Sequence, residues 1–265
     1  MFSPYRLVQW LRSPSFWANV LRVALILLPI WLCAMLVRDN ATDTRFYDDW
    51  MLAETLLKFR EGTLTWHDIV AVQMEHRLAV PRLLIILLHQ FTKDMRVENI
   101  LTFVLLSGMF WNLIWLLRRV SLKGGLAQWW LPAALMSLTL FSPIQYQTLL
   151  WGCTFTSILP GFFLSLAMVS WWSSTPRWLA FTLAALSAIG GMMSFASALN
   201  IWPLMLLAIL LGRSDMPWPQ RRKYAIAWAS LMAVSLALYF HNFTNAVRPE
   251  FAYNQGGTVT MQHSI

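Results

Sequence analysis

Long apolar runs separated by short charged breaks are the feature that most constrains this chain. The runs lie at roughly 19–37, 97–117, 126–142, 149–171, 177–194, 200–212 and 224–240. A helix needs roughly 20 apolar residues to cross the hydrocarbon core of a bilayer. With 58% hydrophobic and 12% charged residues, the chain also has too little polar surface to cover a water-soluble particle. The sequence therefore predicts an all-α fold, a polytopic transmembrane helix bundle of about seven spans.

The basic residues predict which end of each span faces the cytoplasm. Arg6 and Arg12 precede the first run, and basic clusters at 118–119 and 221–223 follow the second run and precede the last. Because cytoplasmic loops are enriched in Lys and Arg, the N-terminus is expected inside the cell. The apolar stretch 78–91 is short and contains a proline and an arginine, so an interfacial or re-entrant helix is expected there. The net charge of +8 is spread over these breaks, which argues against nucleic acid as a partner.

The predicted division of the chain is a transmembrane module, 1–240, and a polar outside tail, 241–265. Within the module, the outside loop 38–96 is distinct because ten of the twelve acidic residues lie between Asp39 and Glu98, nine of them inside the loop. Apolar side chains recur at helical spacing within 52–59, and Gly62 is suited to end that helix. The loop is expected to form two or three short juxtamembrane helices on the outer face of the membrane.

Adjacent carboxylates at Asp48 and Asp49 are the leading candidates for chemistry in this loop. They can supply a general base, or hold a divalent cation together with Glu75 or His76. Asp is equally favoured at the start of a helix, where it accepts hydrogen bonds from free N–H groups and matches the helix dipole. Glu75-His76-Arg77 is also open to a second interpretation, as a polar collar where a helix enters the interface.

Two further groups are candidates for binding a substrate. Arg82 lies in an apolar stretch, where a charge is costly unless it reaches water or an anion, and a lipid phosphate is the natural anion at that depth. Gln145, Tyr146 and Gln147 lie in a predicted outside turn and offer amides and an aromatic ring suited to a sugar or a lipid headgroup. The alternative for this turn is the aromatic belt that many membrane proteins carry at the interface.

These features, in this order, resemble the type-C (GT-C) glycosyltransferases, multi-spanning enzymes that use polyprenyl-phosphate-linked sugars. Protein O-mannosyltransferases and lipid A aminoarabinose transferases belong to this superfamily. Its pattern is a first transmembrane helix, an acidic pair at the start of an outside juxtamembrane helix, a Gly-containing turn, and a His-Pro type motif before a second such helix. The matching residues here, with Asp and Arg where the pattern has Glu and Pro, are Asp48-Asp49, Glu61-Gly62 and Glu75-His76-Arg77.

The resemblance implies inverting transfer of a sugar from a polyprenyl-phosphate carrier to an acceptor hydroxyl at the outer face of the membrane. Asp48 would be the general base, and Asp49 would orient the acceptor or bind a cation. Metal use is left open, because family members differ in it.

The resemblance also implies roles for the second motif. Glu75 and His76 would line the same cavity as the acidic pair. Arg77 and Arg82 would neutralise the polyprenyl phosphate as it leaves, because a guanidinium placed in advance stabilises the charge that builds there.

The remaining implications concern location and class. The resemblance places the protein in a bacterial inner (plasma) membrane, with membrane lipid as a partner. Because members of the superfamily are usually longer, this chain would be a minimal or truncated form. Two other classes stay open. A transporter or flippase of a lipid-linked sugar would use the same arginines without a catalytic base, and a non-catalytic membrane assembly subunit would need neither.

Overall fold

The computed structural model describes residues 14–45, 49–73, 75–120, 126–211, 216–241 and 243. This part of the chain is all-α apart from one hairpin, whose two strands have two residues each. Four of its helices are long and apolar enough to cross a membrane, the third of them together with the 3₁₀ turn before it, and they indicate a membrane protein. They are α1 (Pro14–Asn40), α5 (Arg96–Val120), α8 (Phe155–Trp172) and α11 (Trp218–Phe240).

The other three predicted spans are shorter helices: α6 (Leu126–Leu140), α9 (Arg177–Met192) and α10 (Ile201–Leu211). A proline accounts for one of the shortened ends, because Pro143 closely follows α6. Length and composition therefore support four crossings, and the predicted count of seven is not confirmed by them.

The first loop contains three short helices, as predicted, and a hairpin that was not predicted. In chain order these elements are α2 (Asp49–Arg60), α3 (Trp66–Val70), β1 (Val72–Gln73), β2 (His76–Arg77) and α4 (Ala79–Phe91). The two strands are antiparallel. The predicted stop after α2 is confirmed, because Gly62 follows that helix with φ +70°, a conformation that glycine adopts without strain. A further short helix, α7 (Tyr146–Leu150), lies between α6 and α8.

The loop helices are packed onto the long helices by a small apolar core. Leu52 of α2 and Ile85 of α4 are fully buried against Phe155 and Leu159 at the start of α8. Each such side chain contributes about 1.5–3 kcal/mol by leaving water. This packing holds the charged residues of the loop at fixed positions against the bundle.

Contacts at the two ends of the bundle show that the helices alternate in direction. Near the start of α1, Arg22 lies over the ring of Trp130, near the start of α6, with 5.9 Å between the guanidinium carbon and the ring centre. Arg119 at the end of α5 donates a hydrogen bond of 3.5 Å to Ser174, just after α8. We call the end of the bundle at which both of these contacts lie the basic end.

The first loop covers the opposite end, called here the loop end. The N–H of Val80 in α4 donates to the carbonyl of Met193 just after α9, at 3.0 Å. Asn99 at the start of α5 donates to the carbonyl of Leu149 in α7, at 3.2 Å. Residues 1–13, most of the predicted tail 241–265, and the connections 121–125 and 212–215 lie outside the described residues.

Candidate functional site

Asp49 is the described member of the predicted acidic pair, since Asp48 lies outside the described residues. Asp49 opens α2, and only 3% of it is exposed. Its Oδ1 accepts a hydrogen bond of 2.7 Å from the main-chain N–H of Cys153, in the 3₁₀ turn that precedes α8. The carboxylate therefore joins the first loop to a distant part of the chain.

Glu98, in the first turn of α5, is a second buried carboxylate at this place, with 1% of the residue exposed. Its Oε1 lies 3.1 Å from the guanidinium of Arg45 and 2.9 Å from Nε2 of His89. The same guanidinium donates to the main-chain carbonyl of Asp49, at 3.0 Å. We call these four residues the acidic centre. Buried charges are tolerated when they are paired in this way.

Gly152 lies between the two carboxylates. A Cβ atom at this position would be 2.8 Å from Oε2 of Glu98 and 3.4 Å from Oδ1 of Asp49. Real Cβ atoms essentially never come within 3.0 Å of another heavy atom. The absence of a side chain at Gly152 therefore lets both carboxylates approach the same turn of the backbone.

Arg77 and Arg82 belong to a different group, which we call the arginine clasp. Arg77 donates to the carbonyls of Tyr239 at 2.8 Å, Val70 at 3.0 Å and His241 at 2.7 Å. These contacts tie the hairpin of the first loop to the end of α11. Arg77 also lies over the ring of Tyr239, 5.7 Å from its centre.

Arg82 is 6% exposed and is held in the same way. It donates to the carbonyls of Ile69 at 2.9 Å and Ala71 at 2.8 Å, and to the side-chain oxygen of Gln73 at 2.9 Å. The observed partners of both arginines are thus neutral oxygens of the protein. The contacts give the pair a structural role, and phosphate binding by them stays a prediction.

Glu75 and His76 lie beside the clasp. The His76 ring stacks on Phe195, with 3.8 Å between ring centres, and its Nδ1 accepts a hydrogen bond of 3.3 Å from the N–H of Ala196. Burial lowers the pKa of His76, while the neighbouring Glu75 charge acts in the opposite direction. The carbonyl of Glu75 accepts from the Tyr239 hydroxyl, at 3.4 Å.

The predicted substrate-binding turn lies at the loop end, and most of its side chains face outward. Gln145 donates to the carbonyl of Thr139 at 3.0 Å, and Gln147 donates to the hydroxyl of Tyr146 at 3.4 Å. Tyr146 itself is 52% exposed. The chain then continues directly to Gly152, so this turn leads into the acidic centre.

A third, exposed group lies where α2 meets α3. Lys58 contacts Asp68 at 2.8 Å and Glu54 at 3.0 Å, and Thr65 caps α3 by hydrogen bonding with Asp68. The hydrogen bond from Lys58, followed by those from Thr65, holds the pKa of Asp68 well below its usual range. These contacts shape the loop surface.

Sequence reasoning missed Arg45, His89 and Glu98 as members of the site. A signal for Glu98 was present, because a carboxylate at the start of an apolar span is costly unless it has a partner. His89 follows Arg82 by seven residues, which places both on one face of α4. The partners of these residues depend on tertiary packing and could not be deduced from spacing.

The described residues offer no ready set of ligands for the predicted divalent cation. Within the described ranges, no group of three or more His, Cys, Asp or Glu residues is arranged to hold a metal ion. Asp48 falls outside those ranges, so the part that it would play in a cation site stays a prediction.

No protein-family model, curated protein or solved structure matches this chain. The function is therefore inferred from the geometry of the loop end and the chemistry of its residues.

Proposed function

We propose that this protein is a membrane glycosyltransferase that moves a sugar from a polyprenyl-phosphate carrier to an acceptor hydroxyl. The observation that carries the proposal is the buried carboxylate of Asp49, anchored at the start of a short helix on one end of an apolar bundle. A carrier with a long hydrocarbon chain and a polar sugar phosphate needs such a boundary between lipid and water.

The reaction requires a base at this boundary. As the acceptor oxygen bonds to the sugar carbon, its proton must pass to a carboxylate, and the phosphate leaves with the electrons of the broken C–O bond. Asp49 already accepts a hydrogen bond through Oδ1 and is buried, which suits it to orienting the acceptor. The base is assigned to the adjacent Asp48.

The other predicted residues take supporting parts in the proposal. Gln145, Tyr146 and Gln147 are the polar groups that a sugar or headgroup would meet first. Arg77 joins the hairpin to the end of α11, and Arg82 joins α4 to the end of α3 and the hairpin, so both arginines frame the site.

The topology forms part of the same proposal. The alternation of helix direction supports seven crossings, in which α6, α9 and α10 span the membrane as well. The basic end would then face the cytoplasm, by the preference of Lys and Arg for that side. The loop end, with the acidic centre, would face outward from a bacterial inner membrane.

The test is sugar transfer from a polyprenyl-phosphate-sugar pool, in membranes containing the wild type or Asp48→Asn. Asn keeps the size of Asp and removes the base, so we expect a loss of about 10²–10⁴-fold. Asp39→Asn is the matched control, because Asp39 is an exposed carboxylate at the end of α1.

Three outcomes decide the matter. Loss in Asp48→Asn alone supports the proposal. Equal transfer by all three proteins rules out Asp48 as the base. No transfer by the wild type above that of empty membranes overturns the enzyme assignment, and movement of a lipid-linked sugar between leaflets would then point to a flippase.

A further inference from the structure

The hydrogen bonds of His89 determine how many protons the acidic centre holds. Nδ1 lies 3.2 Å from the carbonyl of Thr92, and a carbonyl can only accept, so Nδ1 carries a hydrogen. Nε2 lies 2.9 Å from Oε1 of Glu98. One more proton must therefore sit between the ring and the carboxyl group.

The charges around this proton decide which group holds it. Oε1 of Glu98 also accepts from Arg45, and a guanidinium stabilises the ionised carboxylate. With His89 as the imidazolium, Arg45 and His89 balance Asp49 and Glu98. Without the proton, the buried centre would carry an uncompensated negative charge, which is costly.

Other titratable groups near His89 in the described chain have partners of their own or lie in the adjoining turns. Arg82 shares its helix face, but its guanidinium bonds to neutral oxygens. Lys93 and Asp94 lie in the turn after α4, where Asp94 accepts from the N–H of Arg96. The Cys153 thiol is next to the N–H that Asp49 accepts from.

Arg45 gives the charge pair a mechanical consequence. Its guanidinium bridges the Glu98 carboxylate and the main-chain carbonyl of Asp49. It therefore fixes where α2 begins, at the main chain of Asp49.

We propose that Glu98 is the positioning residue of this site: it keeps His89 as an imidazolium, and through Arg45 it holds the main chain at Asp49 in place. The effect on activity rests on the proposed function. The charge state of His89 does not depend on the proposed function.

The charge state is tested by NMR of the full chain, labelled with ¹⁵N-histidine, in lipid nanodiscs at about pH 7.5, where a free histidine is mostly neutral. His89→Gln assigns the signal. We expect imidazolium shifts for His89 in the wild type and neutral shifts in Glu98→Gln. Glu54→Gln, the same change at an exposed carboxylate, should leave the signal unchanged.

A neutral His89 in the wild type overturns the inference, whichever variants fold. An imidazolium that persists in Glu98→Gln overturns the part assigned to Glu98.

The positioning role is tested by transfer kinetics. We expect Glu98→Gln to lower kcat by about 10- to 100-fold with little change in KM, the size of loss seen when the hydrogen-bond partner of a metal-ligating residue is removed. Glu98→Asp should recover part of the loss. Unchanged kcat in a folded Glu98→Gln refutes positioning. If the wild type transfers no sugar while the NMR result stands, the proposed function and the positioning role both fail. The ion pair between His89 and Glu98 is then still supported.

Discussion

The acidic centre and the arginine clasp both bury charge at the loop end, but they compensate it differently. In the centre, Arg45 and His89 meet the carboxylate of Glu98. In the clasp, Arg77 and Arg82 meet carbonyl groups and one side-chain amide. One region balances charge against charge, and the other disperses charge over neutral dipoles.

This difference has consequences for stability and for chemistry. Removing one partner from the centre leaves a buried charge without a counter-charge, whereas removing an arginine from the clasp leaves neutral oxygens without donors. A change of protonation alters the centre but not the clasp. Of these two regions, the centre is the one that contains carboxylates and a histidine, the groups that can gain or lose a proton.

The largest expected effect is from Glu98→Ala, which strands Arg45 and His89 in the interior. Breaking a buried ion pair in this way costs about 3–5 kcal/mol. The measurement is the free energy of unfolding in detergent, from denaturant titration followed by tryptophan fluorescence. Glu54→Ala, at a side chain that is 56% exposed, should change the same quantity by less than about 0.5 kcal/mol. Equal effects of the two changes would contradict the buried pairing.

A smaller loss is expected for Arg82→Met, which keeps much of the side-chain length. The carbonyls of Ile69 and Ala71 lose their donor, at a cost of about 2–3 kcal/mol. Arg82→Lys should recover only part of this, because an ammonium cannot reproduce the planar fork of donors. If Arg82→Met costs more than Glu98→Ala, the comparison between the two regions is wrong.

The third prediction compares Gly152, which lies between the carboxylates of the acidic centre, with Gly62, which lies in a turn. Gly152→Ala forces a shift in Glu98, at about 1–3 kcal/mol, because that carboxylate is buried and bonded. Gly62→Ala meets no atom within 4 Å and costs about 1–2 kcal/mol through its left-handed backbone alone. Only Gly152→Ala should move the ¹⁵N signal of His89. A similar movement in Gly62→Ala would show that the signal reports general loosening.

The smallest effect concerns the pH dependence of His76, whose lowered pKa keeps the ring neutral in the folded protein. The unfolded chain, with an ordinary histidine pKa of 6.5, binds the proton more readily. Stability from His76 is therefore fully present above about pH 6.5 and is lost as the pH falls through the lower pKa of the folded state. Melting temperatures between pH 7 and 5 should fall less steeply in His76→Gln than in the wild type. Parallel curves would contradict this.

Much of the loop architecture could be predicted from the sequence. The spacing of Leu52 and its apolar neighbours fixes one face of α2, and Gly62 supplies the left-handed residue that follows it. The length of the apolar stretch 78–91 correctly indicated a short helix, since α4 has 13 residues. Local periodicity and turn chemistry are sufficient for such elements.

The candidate site could be predicted only in part. Asp49 was chosen as a candidate because two adjacent carboxylates at the start of a membrane-surface helix can supply a base or hold a cation. Its partners were not found, because Glu98 and Cys153 are brought to it by the packing of α5 and α8. Arg82 was expected to seek an anion, yet the nearby ends of α3 and the hairpin supply enough carbonyl oxygens to satisfy it. Competition between external and internal acceptors cannot be read from a linear sequence.

The hydrogen bonds of Arg77 also constrain the order in which the protein can fold during its synthesis. Two of its acceptors, the carbonyls of Tyr239 and His241, lie 162 and 164 positions later in the chain. The guanidinium therefore emerges long before those acceptors exist. The contacts of Arg77 with the end of α11 can form only after α11 has been synthesised, so completion of the loop end follows the synthesis of that helix.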